Sequence, residues 1–184
     1  MPLNHSSQYS ELTDEHFSLI GRVVVEWSNV EFLLGCMLSR LLFTPEFPGR
    51  VFSRGMGAAR LQNAIEDALE LQELRYHNIV VPESTVTEIR KMNKKLNSLR
   101  KTRNKFAHFC WARFNDNEIF GTGFSSATSG SKHQEKDYVS LTIKELKDFY
   151  AQLYELVENM SSIVESLPEM PEKGISQKLR GSTA

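Results

Sequence analysis

Apolar positions recur every three to four residues in four stretches of the chain, and each stretch predicts a helix. The first carries Phe17, Ile20, Val24, Trp27, Leu34, Leu38 and Leu41. Thr13 is its expected N-cap, with Asp14 and Glu15 in the first turn, and Pro45 and Pro48 are expected to stop it near Phe43. One position on this stripe, 31, is a glutamate. Residues 44–55 read as a connection. The second helix is expected over 58–77, with Leu61, Ile65, Ala68, Leu69 and Leu74 available for burial and an acidic, solvated face of Glu66, Asp67, Glu70 and Glu73. The third opens at Pro82-Glu83-Ser84 and runs to His108 along Val86, Ile89, Met92, Leu96, Leu99 and Phe106. Arg103 occupies a position on that seam where the pattern asks for an apolar side chain. The fourth opens on a capping box, Thr142 with Glu145, and follows Leu146, Phe149, Leu153, Leu156, Met160, Ile163 and Leu167 until Pro168.

Between the third and fourth helices the pattern changes. Trp111–Phe114 and Glu118–Phe120 flank Asn115-Asp116-Asn117, which predicts a short hairpin. Residues 121–137 read as a flexible loop, and Tyr138–Leu141 as a short strand. Gly121 and Gly123 make no phosphate loop, since no Gly-Lys-Ser/Thr follows. The expected fold is therefore all-α, a four-helix-type bundle with a small hairpin or extended insertion before the last helix. The expected organisation is a flexible N-terminus over 1–12, one helical domain over 13–167, and a disordered tail over 168–184.

At 184 residues one domain with a stable core is expected. The net charge of −1 creates no overall field for nucleic acid, so any basic surface must be local. The third helix supplies one. Arg90, Lys91, Lys94, Lys95, Arg100, Lys101, Arg103 and Lys105 place eight bases in sixteen residues, and no acid falls between Glu88 and Asp116. This density suits a phosphate-bearing partner, although its outer lysines also read as a solvated face. Cys36 and Cys110 are too few for a disulfide framework and fit a cytoplasmic protein. No signal peptide or membrane span is expected, and no metal site, because the other histidines lack ligand spacing with the cysteines.

The basic helix ends in Arg103-Asn104-Lys105-Phe106-Ala107-His108, running into Phe109-Cys110-Trp111. Cleavage of RNA by attack of its own 2′-hydroxyl needs a group that moves protons near neutral pH and a cation for the phosphorane. His108 suits the first role and Arg103, with its forked donors, the second. Asn104 can fix a phosphate or the imidazole. On a regular helix, however, Arg103 and His108 stand about 140° apart and ~7.5 Å along the axis, while Asn104 and His108 share a face. Arg103 and His108 converge only if the helix ends near Ala107 or a second subunit completes the site.

An Arg-Asn-x-x-x-His run closing a helix of a small helical protein resembles the HEPN superfamily. The resemblance implies a homodimeric helical bundle and a metal-independent, cofactor-free endoribonuclease of toxin or phage-defence type. RNA, and possible antitoxin or regulatory proteins, would be its partners. Carried over to this chain, it gives Arg103 transition-state stabilisation, His108 proton transfer and Asn104 positioning. Lys94, Lys95, Arg100, Lys101 and Lys105 would be the RNA contacts. A toxin subgroup of the superfamily carries Tyr two residues after the His; Cys110 stands there, so that subgroup's regulation through the Tyr is not expected. Members of the superfamily also serve as non-catalytic dimerisation or partner-binding modules, and this is the alternative function. Two readings of Glu31 stay open: a carboxylate bonded to a neighbouring helix or to Arg22, Arg40 or Arg60, or one that orients Arg103 or His108. His108 packed against Phe109 and Trp111, with Arg103 bridging Glu31, is the structural counterpart of a catalytic site.

Overall fold

The computed structural model describes residues 10–124 and 136–171. Its elements are α1 (Asp14–Leu41), α2 (Glu46–Ser53), α3 (Ala58–Tyr76), α4 (Glu83–His108), β1 (Cys110–Asn115), β2 (Glu118–Phe124), β3 (Lys136–Thr142) and α5 (Ile143–Ser166). The fold is helical at its core, with a three-stranded antiparallel sheet in the order β1-β2-β3 inserted before the last helix. Most of the expected N-terminal lead-in, the centre of the 121–137 loop and nearly all of the expected tail lie outside the described residues. The chain divides into two compact units. One contains residues up to Trp27 with Asn97–Glu155, the other Ser28–Leu96 with residues from Leu156 onward.

In the unit that carries Asn97–Glu155, α1 starts as expected at Thr13. The Thr13 hydroxyl accepts from the His16 backbone N–H at 3.3 Å, and the imidazole Nδ1 of His16 accepts from the Thr13 backbone N–H at 3.2 Å. In its first half α1 buries a face displaced by one residue from the expected stripe, while Trp27, Leu34, Leu38 and Leu41 are buried as expected. His16, Leu19 and Val23 are buried, whereas Phe17 and Val24 are exposed. The sequence permits both phases, because apolar residues occupy both faces of this helix.

The sheet begins two residues after His108. Residues 121–123, expected in a flexible loop, belong to β2, and Gly121 and Gly123 pair with Val139 and Asp137 of β3. The glycines are there for space: a Cβ at 121 would meet the Trp111 ring at 2.7 Å, and one at 123 would meet the Phe109 ring. Trp111 in turn stacks on Phe106 at 5.4 Å between centroids, and Phe106 lies 5.4 Å from Phe149. The capping box forms as expected, with the Glu145 carboxylate accepting from the Thr142 N–H at 2.8 Å and the Thr142 hydroxyl accepting from the Glu145 N–H at 3.2 Å.

In the other unit, α2 occupies the expected connection. Pro48 lies in its first turn, where helix N–H groups have no intrahelical partner, so proline does not break it. Gly49 approaches Ser39 of α1 so closely that no Cβ would fit between them. Leu74, expected inside, is 79 % exposed; its turn of α3 instead buries Gln72, whose amide donates to the carbonyl of Leu41 at 2.9 Å and caps the end of α1. The acidic face of α3 is not simply solvated. Arg90 holds Glu73 through two hydrogen bonds of 2.7 and 3.0 Å, and Glu66 receives Arg90 and the Asn93 amide. The guanidinium keeps the Glu73 carboxyl below the usual range. The seam of α4 and the stripe of α5 are buried in the expected register, in both units, apart from Arg103, which is half-buried.

Candidate active site

The candidate motif lies wholly in the last turns of α4. That helix remains regular to its end: the Phe109 N–H still bonds the carbonyl of Lys105 at 2.9 Å. Regular geometry keeps Arg103 and His108 on different faces, about 140° apart. Asn104 and His108, four residues apart, share a face, and both are exposed. His108 is thus not the packed histidine of the structural alternative.

Arg103 stands on the seam as the pattern required. Its guanidinium carbon lies 5.2 Å from the centre of the Trp27 ring, a cation–π arrangement. Its Nε is buried and has no hydrogen-bond partner among the described residues. Trp27 is 1 % exposed, so one side of the arginine is shielded from water by an aromatic wall. Of the other bases in this unit, Lys101 is exposed and Arg100 half-buried, and Lys105 lies with its ammonium 5.4 Å from the Phe109 ring centre.

Three of the sequence-derived candidates belong to the other unit. Lys94 is exposed and Lys95 half-buried, the latter lining a groove with Glu88, Lys91, Asn159 and Ser162. Glu31 is half-buried and lines a concavity with Phe32, Arg50 and Arg54. Arg40, one of its expected partners, bonds Glu46 at 3.1 Å and the carbonyl of Val164 at 2.7 Å, and Arg22 lies over Tyr150. Among the described residues no group of three His, Cys, Asp or Glu stands where it could hold a metal ion, and no helix is long and apolar enough to cross a membrane. Cys36 and Cys110 are both free; burial pushes the Cys36 thiol up, and Cys110 is exposed.

Sequence reasoning missed Trp27 as the partner of Arg103. An arginine on an apolar seam signals that some neighbour must receive it, but no spacing in the sequence pairs it with Trp27 of the first stripe. It also missed the stacked rings of Phe120 and Tyr138, 5.6 Å apart on β2 and β3. No known protein family, curated protein or solved structure matches the chain.

Proposed function

We propose that the chain is a cytoplasmic, metal-independent endoribonuclease of toxin or phage-defence type, resembling the HEPN superfamily and acting as a homodimer. The observation that carries this reading is the exposed Asn104–His108 face at the end of a helix dense in bases, with Arg103 one step round the same turns. His108 takes the proton from the RNA 2′-hydroxyl or supplies one to the departing 5′-oxygen. The hydroxyl oxygen attacks the adjacent phosphorus, the P–O5′ bond breaks, and a 2′,3′-cyclic phosphate and a 5′-hydroxyl end result. Arg103 offers a permanent cation to the phosphorane, and its contact with Trp27 limits the freedom it loses on binding. Because a straight α4 separates Arg103 from His108, the complete site needs the Arg103 of one copy beside the His108 of another. Lys101, Arg100 and Lys105 add local attraction for phosphates, as Lys94 and Lys95 do along the same helix. An antitoxin or other regulatory protein would cover this face.

The packing of Arg103 against Trp27 favours a second reading, in which the arginine stabilises the helices and the chain is a non-catalytic partner-binding module. The deciding experiment is cleavage of a mixed RNA substrate in the presence of a chelator by wild type, His108→Ala and Arg103→Ala. Cutting by the wild type with cyclic-phosphate ends, lost in both folded variants, supports the ribonuclease. No cutting by a folded wild-type dimer, freed of bound protein, supports the module.

A further inference from the structure

The unit that contains Ser28–Leu96 carries two exposed helical stripes of opposite chemistry. The first is on α2. Phe47, Arg50, Val51 and Arg54 follow the spacing i, i+3, i+4, i+7 of one helix face, and Arg54 prolongs α2 with a φ of −52° and a ψ of −32°. All four are exposed, and they line a cleft of about 460 Å³ together with Phe32 and Glu31 of α1. The Arg50 guanidinium lies 4.1 Å from the centre of the Phe32 ring, and neither Arg50 nor Arg54 forms an ion pair among the described residues. The second stripe is on α3, where Asp67, Glu70, Leu71 and Leu74 repeat the same spacing and are exposed. The acids of α3 divide between two faces. Glu66 and Glu73 are held by Arg90, whereas Asp67 and Glu70 form no ion pair among the described residues. This stripe is the convex back of a helix that buries Leu61, Ile65 and Leu69 on its other side. Arg60 and Arg75 stand outside it, at its two ends.

We propose that the α3 stripe of one copy docks into the α2 cleft of a second copy, head to tail. Three observations select a second copy as the occupant. The order of chemistry along the two stripes matches in one direction only. Laid antiparallel, Phe47 meets Leu74, Arg50 and Val51 meet Glu70 and Leu71, and Arg54 meets Asp67. Laid parallel, Phe47 would face Asp67 and Arg54 would face Leu74, which satisfies neither pair. The shapes also correspond, a cleft on one side and a convex helix on the other. Finally, the chain outside the described residues has no acidic segment to offer: it holds Glu135 and Glu172 against Lys132, Lys173, Lys178 and Arg180. Glu31 leaves the cleft lining positive, since two arginines oppose it. Because the two sides of this contact differ, each added copy still presents one stripe and one cleft, and growth ends only where a ring closes. Two helical turns make a small interface beside the ~1,000 Å² of a stable one, so the association depends on concentration.

The test is sedimentation velocity of the full chain from about 5 to 200 μM. The mass of the wild type is expected to rise with concentration. Arg54→Glu and Asp67→Arg, each folded by circular dichroism, are expected to weaken that rise about tenfold, and the two changes in one chain to restore it. A second pair of variants reads the polarity. Val51→Asp blocks the cleft and Leu74→Asp blocks the stripe, so neither should gain mass alone. Their mixture should form one new contact and stop, because only the stripe of the first and the cleft of the second are intact. A wild type whose mass does not rise overturns the proposal. So does association that Val51→Asp abolishes and Leu74→Asp leaves intact, since the cleft would then take a different surface. A charge swap that stays dissociated, or a mixture that forms no contact, overturns the pairing as well.

Discussion

The guanidinium carbon of Arg103 lies 5.2 Å above the ring of Trp27, and the buried Nε of the same side chain has no hydrogen-bond partner among the described residues. These two facts pull in opposite directions energetically. A desolvated cation–π contact contributes on the order of 1–2 kcal/mol. A buried donor left without an acceptor costs about 1–3 kcal/mol. The arginine is therefore close to neutral for folding, which makes its presence on an apolar seam a functional question.

Arg103→Met should decide that question. Methionine keeps an unbranched apolar stem against Trp27 and removes the orphaned donor. Folding stability by urea denaturation is expected to change by less than about 1 kcal/mol, with RNA cleavage abolished. A loss of several kcal/mol would instead mark Arg103 as a structural residue and favour the partner-binding module.

The separation of Arg103 and His108 on a straight helix leads to a second expectation. If each site takes its arginine from one copy and its histidine from the other, mixing Arg103→Ala with His108→Ala after subunit exchange creates heterodimers with one intact site. Two inactive proteins should together recover on the order of a quarter of wild-type cutting. An inactive mixture, with exchange demonstrated by differently tagged copies, would place both groups in one subunit's site or in none.

What could be read from the sequence tracks how many apolar phases a helix offers. On α4 and α5 a single seam exists, and Val86 to Phe106 and Leu146 to Leu167 are buried in the register their spacing predicts. On α1 two apolar stripes compete, and tertiary packing chose Leu19, Val23 and Val30 over Phe17 and Val24. The capping box at Thr142 was legible because its bonds are local, as α2 was not, because Pro48 marks a helix start as readily as an end. The motif at Arg103–His108 was legible as residues. Its two faces followed from helix geometry, but the Trp27 contact joins residues 76 positions apart and carries no local signature.

His16 supplies an expectation about pH. It is fully buried, its Nδ1 accepts from Thr13, and its Nε2 has no partner among the described residues. Burial lowers its pKa, with the positive charge of Arg113 adding to that and the carboxylates of Glu15 and Asp116 opposing it. The folded state thus resists a proton that the unfolded chain accepts at the ordinary histidine value. The stabilisation is present in full above that value and is lost progressively as pH falls towards the folded pKa. Urea midpoints measured from pH 8 down to about pH 5 should decline for wild type and decline less for His16→Gln. Equal slopes would show that His16 accepts its proton in the fold without penalty. Glu15, whose carboxyl is held low first of all by its hydrogen bond to Lys147, loses its contribution only in the more acid carboxylate range.

Gly121 offers the sharpest check on how the sheet is seated behind the motif. An alanine there would set its Cβ 2.7 Å from a Trp111 ring carbon, well inside the ~3.5–4.0 Å of an ordinary carbon contact. The indole cannot simply retreat, because its stacking partner Phe106 is buried and lies against Phe149. Relief has to come from the strand, and β1 is joined through Phe109 to His108. Gly121→Ala should therefore cost about 1–3 kcal/mol of stability and shift the tryptophan emission of the folded protein. It should also weaken RNA cutting, while Gly55→Ala, where nothing lies within 4 Å of the added carbon, stays within about 0.5 kcal/mol of wild type. Equal urea midpoints for the two variants would mean that Trp111 is not held against β2. The sheet would then have no fixed position relative to the end of α4.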